Sequence, residues 1–360
     1  MDSLKITEYG SEFWIADDDL NVDGFENGFI MGSSEIYLVN GRRCISYLLD
    51  SVDGIPKRAV LPAYICNSAI EPFDTRGFET LFYDSNRKLE PDVAEIADLI
   101  DGKPSVIVHM GYFGFNTNEA ICEIESLVKE SNSVVFEDKS HTLFTSYAST
   151  CADAEFASIR KWIGIPGGGV VNPVSDIFSF KPVCGVFAEV SESRQRCLRM
   201  KATYMATGES DLRERYRTGF AEAERLMDED SIVYGLDDES IRIIKCLDIG
   251  RLVERRQTNF RTLLKHLSHD KRFVPVFSVL PENVCPMFFP VFVSDSKKRD
   301  ELQREFASKS LFCPVHWPRN DYLKSYHKEY EYIIEHTLSI PCEQRYTEAD
   351  MDRVAEIVNS

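Results

Sequence analysis

The stretch 106–141, VIVHMGYFGFNTNEAICEIESLVKESNSVVFEDKSH, carries the reading of the fold. Val106-Ile107-Val108 and Val134-Val135-Phe136 are short, wholly apolar and rich in β-branched residues, the pattern of strands buried on both faces. Between them Ala120, Ile121, Ile124, Leu127 and Val128 recur at helical spacing and share one face. A strand, a helix and a second strand in that order make a parallel pair with a crossover, because parallel strands cannot be joined by a tight turn.

The alternation continues outward. After Asn40-Gly41, the residues Cys44, Ile45, Leu48 and Leu49 lie on one helical face. Ala59-Val60-Leu61, closed by Pro62, and Leu81-Phe82-Tyr83, ended by Asp84, are strands. Pro91 is expected to open a helix carrying Val93, Ile96, Ala97 and Ile100, Pro being tolerated in a first turn. Phe156-Ala157-Ser158-Ile159 and Val170-Val171 complete the strand candidates. The fold class is α/β, with a mostly parallel sheet flanked by helices on both faces.

Beyond about residue 190 the pattern changes. Residues 194–230 are charged and helical, and Ile241, Ile244, Leu247, Leu252, Phe260, Leu263, Leu264 and Leu267 mark a long helix interrupted at Gly250. Phe288-Phe289-Pro290-Val291-Phe292-Val293 reads as a strand and 297–308 as a helix. Thr347-Glu348-Ala349-Asp350 resembles a capping box ahead of a helix with Met351, Val354, Ala355 and Val358 on its apolar face. The expected organisation is an N-terminal segment 1–35, a large domain 36–235 and a small C-terminal α+β domain 236–360, the transition falling near 220–240.

Composition narrows the function. The 360 residues carry 41 Lys and Arg against 59 Asp and Glu, a net charge of −18, which opposes attraction to nucleic acid or an anionic membrane. Hydrophobic residues make up 43%, enough for a substantial core. No apolar run has membrane-spanning length, and the start has no basic, then apolar, signal pattern, so a cytoplasmic protein is expected. The ten cysteines are scattered without a C-x-x-C pair, against a zinc site or a disulfide framework. Most are expected to be small buried hydrophobes, and no metal is expected.

Ligands of such a sheet gather at the carboxyl ends of its strands. There stand Glu137-Asp138-Lys139-Ser140-His141, Ser158-Ile159-Arg160-Lys161 ahead of Pro166-Gly167-Gly168-Gly169, Pro62-Ala63-Tyr64-Ile65-Cys66 and Met110-Gly111-Tyr112; Asn40-Gly41-Arg42-Arg43 opens the first helix. Singly each has a plain structural reading. Asp138 is a turn aspartate, Lys161 a solvated surface lysine, the triple glycine a turn, His141 a satisfied loop histidine and Arg42-Arg43 a surface basic patch. Neither the dinucleotide fingerprint nor the phosphate-loop signature is present. Together, a lysine, a carboxylate, a histidine and a glycine-supplied helix start suit an aldehyde cofactor with a ring nitrogen, a phenolic oxygen and a phosphate.

These segments resemble the fold-type I pyridoxal-phosphate enzymes, in particular the DegT-type sugar aminotransferase family, over about residues 36–358. Val135 to His141 resembles the family's strand ending in Glu-Asp-x-x-His/Gln. Ser158 to Gly169 resembles its Ser…Lys…Gly-Gly cofactor segment, and Leu61 to Cys66 its Pro-x-Tyr/Thr segment. Arg255 to Phe260 is similar to the Arg-x-x-Asn helix, and Leu338 to Met351 to the C-terminal Leu-Pro…Arg-Tyr…Asp-Met stretch. Three features depart from the pattern. The spacing from Ser158 to Lys161 is shorter than usual, Arg42-Arg43 replaces small residues, and 199–217 lacks the Asn-Tyr-Arg segment that relatives use across the dimer interface.

The resemblance implies pyridoxal 5'-phosphate held as a covalent Schiff base at Lys161, which also moves the substrate proton. It implies Asp138 at the pyridinium nitrogen, His141 near the ring hydroxyl, and Ser158 with the amides of Arg42 and Arg43 at the phosphate. Cys66 falls near the ring-facing aromatic position, with Tyr112 a substitute for that stacking surface. The implied reaction passes an amino group from an amino acid, plausibly glutamate, to a keto-sugar, nucleotide-linked in the family, in a homodimer with sites at the subunit interface. Two alternatives stay open at this point: a pyridoxal-phosphate dehydratase or lyase on the same scaffold, and a non-catalytic cofactor-binding scaffold. Family dehydratases replace the lysine with histidine, so Lys161 favours transamination over the first.

Overall fold

The apolar triplets at 59–61, 106–108 and 134–136 are strands whose residues are all buried. The computed structural model describes residues 8–15, 30–147 and 151–360, so residues 1–7 and 16–29 of the expected segment 1–35 lie outside the described residues. In chain order come β1 (Ile36–Leu38), α1 (Gly41–Leu49), β2 (Arg58–Pro62), α2 (Asn67–Asp74), β3 (Glu79–Tyr83), α3 (Val93–Ile100), β4 (Val106–Met110), α4 (Glu125–Glu130), β5 (Val134–Asp138), β6 (Ala154–Ser158) and β7 (Gly169–Pro173). Then follow β8 (Cys184–Val186), α5 (Ala188–Thr207), α6 (Ser210–Glu229), β9 (Tyr234–Gly235), α7 (Asp238–Cys246), α8 (Ile249–Leu267), β10 (Phe273–Pro275), β11 (Phe288–Val293), α9 (Ser296–Ser308), α10 (Lys328–His336), β12 (Thr337–Pro341) and α11 (Glu348–Asn359).

The large sheet has the order β3-β2-β4-β5-β6-β7-β1-β9-β8. The run from β3 to β6 is parallel throughout, so β2, β4, β5 and β6 all end on one edge. The strands β7, β1 and β9 alternate direction beyond it. Side chains alternate across a strand, and the two faces divide accordingly. Ala59, Leu61, Val106, Val108 and Phe136 pack with Ile45, Leu48, Leu49, Ile70 and Phe73 of α1 and α2. Val60, Ile107 and Val135 pack with Ile96 and Ile100 of α3 and with Ile121, Ile124 and Val128. This double cover is why the strands read as continuous apolar runs.

A three-stranded antiparallel sheet, β10-β11-β12, forms the second centre. Phe289, Val291, Leu338 and Ile340 meet Phe260, Leu263 and Leu267 of α8 and Met351, Val354 and Val358 of α11. Ile243 and Ile244 of α7, with Leu252 of α8, pack instead on Ile159, Trp162 and Val170 beside the large sheet. The helical pair therefore links the two cores. The capping box ahead of α11 forms as expected, with Thr347 and Asp350 bonding each other's backbone amides.

Several local expectations are corrected. Pro91 does not open a helix: it bridges to Ser85, and α3 starts after Asp92, whose Oδ1 accepts the Glu95 N–H at 3.0 Å. A carboxylate cap outweighs a proline start here because it satisfies an orphan amide. The long C-terminal-half helix breaks at Leu247-Asp248 rather than at Gly250, since Asp248 caps α8 through the Arg251 N–H. The helical face over 120–128 begins as a 3₁₀ turn, Glu119–Ile124, before α4. Five of the ten cysteines, not most, are buried; Cys122 and Cys184 are exposed, Cys184 because it lies on the edge strand β8.

Candidate active site

The strands β4 and β5 end together at Met110 and Asp138, which stand in register with each other and with Phe156, two residues before the end of β6 at Ser158. Asp138 Oδ1 accepts the Ser140 N–H at 2.8 Å. Ser140 Oγ in turn accepts the Ser158 N–H at 2.9 Å, and its carbonyl accepts Trp162 Nε1–H at 2.8 Å. Ser140 thus ties the Asp138 loop to the segment carrying Lys161. That segment is a single 3₁₀ turn, Ile159–Lys161, held by the Ile159 N–H to the Gly168 carbonyl at 2.9 Å. The triple glycine is needed for close approach: a Cβ on Gly169 would lie 2.5 Å from the Asn40 carbonyl oxygen.

Asn40 is the extended N-cap of α1, and its Oδ1 accepts the Arg43 N–H at 2.9 Å. No acidic residue occupies the first turn, so the positive end of α1 is free to face an anion. The Gly41 and Arg42 amides, unlike that of Arg43, have no partner among the described residues. The Arg42 guanidinium is paired with Asp228 at 2.5 Å and Glu71 at 3.3 Å.

One cavity is lined by Arg42, Cys66, Asp138, Ser158 and Lys161, five of the eight residues singled out from the sequence. The other three do not line it. The Arg43 side chain turns away and donates to the Met227 carbonyl at 3.1 Å. Tyr112 is buried and donates to the Tyr64 carbonyl at 2.7 Å. His141 lies behind the cavity, stacked on Trp317 with ring centroids 5.0 Å apart. Its Nδ1 accepts the Phe113 N–H at 3.4 Å, which puts the proton on Nε2, and Nε2 has no partner among the described residues.

Charge and burial set the protonation states. Burial pushes the Asp138 carboxyl above its ordinary range, while the Lys161 charge and the Ser140 hydrogen bonds pull it back. Burial, then the charge of Lys161, holds His141 well below the usual imidazole value. Burial and Lys161 bring His316 down to about 3. Both imidazoles are therefore neutral at neutral pH.

Sequence reasoning named Ser140 and Asn40 within candidate segments without giving either a role, and it missed Trp317 as a lining residue. Asn40 carries a readable signal, an Asn directly before a helix. Trp317 carries none, because it lies far along the chain from Lys161 and its place depends on how the second centre docks. A second cavity adjoins the first, lined by Phe13, Arg194, Arg217, Phe220, Phe288 and His316 among others.

No protein-family model and no curated protein sequence matches the chain. Solved structures do resemble it. PseC of Helicobacter pylori, an aminotransferase involved in the biosynthesis of pseudoaminic acid, is 13% identical with a TM-score of 0.69, over 98% of each chain. A DegT DnrJ EryC1 StrS aminotransferase from Brucella abortus is 15% identical with a TM-score of 0.63, over 96% of this chain and 91% of that one. DesV of S. venezuelae, solved in complex with a ketimine intermediate, is 13% identical with a TM-score of 0.65, over 97% and 90%. The chain has the fold-type I architecture of these aminotransferases.

Proposed function

We propose that the chain is a pyridoxal-phosphate-dependent aminotransferase that moves an amino group from an amino acid, glutamate first among candidates, to a nucleotide-linked keto-sugar. The observation that carries this reading is the convergence of Lys161, Asp138, Ser158 and the open end of α1 on one cavity. The donor set fits the cofactor. Lys161 offers the amine, Asp138 a carboxylate for the ring nitrogen, and Ser158 with the Gly41 and Arg42 amides a seat for the phosphate. When bound, the cofactor supplies an electron sink for charge developing on the substrate carbon. Asp138 keeps the ring nitrogen protonated through a charge-assisted hydrogen bond. Lys161 lines both cavities, so its amine can carry a proton to a substrate held in the second.

The sheet edge supports a homodimer. All three residues of β8 are exposed at that edge, Val186 among them at 43%. An open edge with apolar side chains favours pairing with a second copy. We also place the division between the large and small domains at 235/236 and assign the chain to the cytoplasm; no helix among the described residues is long and apolar enough to cross a membrane.

The test is spectroscopic. The purified protein should carry a visible chromophore that bleaches on addition of glutamate with release of 2-oxoglutarate, and a panel of nucleotide-linked keto-sugars should restore it. Protein that takes up no pyridoxal phosphate, or bleaches with no amino donor, overturns the proposal. Sedimentation showing an active monomer overturns the dimer.

A further inference from the structure

Four residues line both cavities: Cys66, Arg160, Lys161 and Trp317. Trp317 is the largest of them, and it is only 8% exposed. Phe156 and Trp317 are the two aromatic residues lining the first cavity. Phe156 belongs to β6, inside the large sheet, whereas Trp317 comes from the connection between α9 and α10 and packs into the core beside the large sheet.

The indole is fixed from several directions. His141 stacks on it at 5.0 Å and 29°, and Tyr64 meets it edge-on at 5.0 Å and 61°. Tyr112 lies 6.4 Å away. The backbone just before it is held as well, by the Tyr64 hydroxyl donating to the His316 carbonyl. Tyr64, Tyr112 and His141 all follow strands of the large sheet, so the ring is braced by the large-sheet strand ends as well as by its own neighbour His316, which meets it edge-on at 5.7 Å. Lys161 Nζ stands 5.9 Å from the indole centroid, within reach of a cation–π contact.

We propose that Trp317 is a positioning residue for Lys161: its braced indole holds the lysine amine at the junction of the two cavities and forms the aromatic wall beside which a planar cofactor ring docks. This rests on the aminotransferase reading for the cofactor, but not for the lysine. The histidine behind the indole also has a place in this arrangement. Because His141 is neutral, it backs the ring without repelling the lysine ammonium.

The experiment has two arms on the full-length protein, using Trp317→Leu and Trp317→Phe, with the thermal melt of each variant checking the fold. In the first arm the cofactor-free protein is acylated with an amine-reactive ester and Lys161 is followed by peptide mapping. Trp317→Leu should change the acylation rate of Lys161 by about tenfold, the scale of a lost cation–π contact, with Lys139 unchanged and Trp317→Phe closer to wild type. In the second arm pyridoxal phosphate is titrated against intrinsic fluorescence. The chain has three tryptophans, and the part of the quench that belongs to Trp317 should vanish in both variants. Trp317→Leu should also bind the cofactor about tenfold more weakly, with Trp317→Phe recovering most of it. Unchanged Lys161 acylation in a folded Trp317→Leu protein overturns the positioning role. Unchanged cofactor affinity overturns the wall. A wild-type protein that binds no pyridoxal phosphate overturns the wall together with the aminotransferase reading, while the acylation arm still decides the lysine.

Discussion

Gly41 and Ser158 meet so closely that a Cβ built on Gly41 would lie 3.2 Å from the Ser158 Cβ. The first turn of α1 and the end of β6 are thereby joined at the point where the open amides of α1 face the cavity. A larger side chain must push the two apart. Gly41→Val is expected to weaken binding of pyridoxal phosphate by at least about tenfold, equal to ~1.4 kcal/mol, while binding of phosphate-free pyridoxal changes little. Titration of both compounds by absorbance or fluorescence checks this; an equal loss for both would place the effect elsewhere than at the phosphate.

Lys161 and Lys139 are the two lysines that follow neighbouring strands, and their surroundings differ. Lys139 is buried against Glu155 at 3.3 Å and lies over the Tyr147 ring, whereas Lys161 opens on both cavities. Borohydride reduction of the cofactor-loaded protein should fix the label on the peptide holding Lys161 and leave Lys139 unmodified. Lys161→Ala should abolish turnover and keep phosphate-mediated binding. A label on Lys139 would remove Lys161 from the chemistry.

Asp138 is expected to act through charge rather than shape. Asparagine can still accept the Ser140 N–H, so Asp138→Asn should keep the fold and still bind the cofactor. Its turnover should fall by orders of magnitude, roughly tenfold for each ~1.4 kcal/mol of transition-state stabilisation lost. Wild-type turnover in this variant would make Asp138 a turn residue only, and a lost fold would assign it to capping.

The two neutral imidazoles make stability sensitive to acid. In the unfolded chain histidines take up protons near pH ~6.5, but His316 in the fold does so only at about 3, and His141 also titrates well below its ordinary value. Between those values the unfolded state binds more protons, so stability rises with pH and is lost as pH falls through that window. His316→Gln should flatten the slope by up to about 1.4 kcal/mol per pH unit between pH ~6.5 and ~4. Urea unfolding across this range is the measurement, and an unchanged slope would mean that His316 titrates in the folded protein as it does in the unfolded chain.

Much of the sheet was legible because burial on both faces leaves a local signature. Val106-Ile107-Val108 and Val134-Val135-Phe136 have no polar alternation to obscure them, and Asp138 follows the apolar run of β5 after Glu137 alone. Helix starts were legible only where one residue type dominates the cap: Thr347 with Asp350 could be read, whereas Pro91 misled because Asp92 beside it was the stronger cap. His141 and Tyr112 could be placed after the right strands, but not on the right side of them. Spacing along a loop does not determine where a ring points, and both rings turn into the aromatic cluster around Trp317 rather than into the cavity.

What the sequence determined by itself is the buried parallel strands, several of the helices beside them, and the strand ends that carry Asp138, Ser158 and Lys161. Those follow from side-chain periodicity and from residues acting on their immediate neighbours. The tertiary structure alone decided which donors remain open. Glu71 and Asp228 neutralise the Arg42 guanidinium, and Trp317 arrives beside Lys161 from the far side of the chain. Each of these depends on a contact between distant segments, whose free energy exists only once both cores have packed, so no local pattern in the sequence can report it.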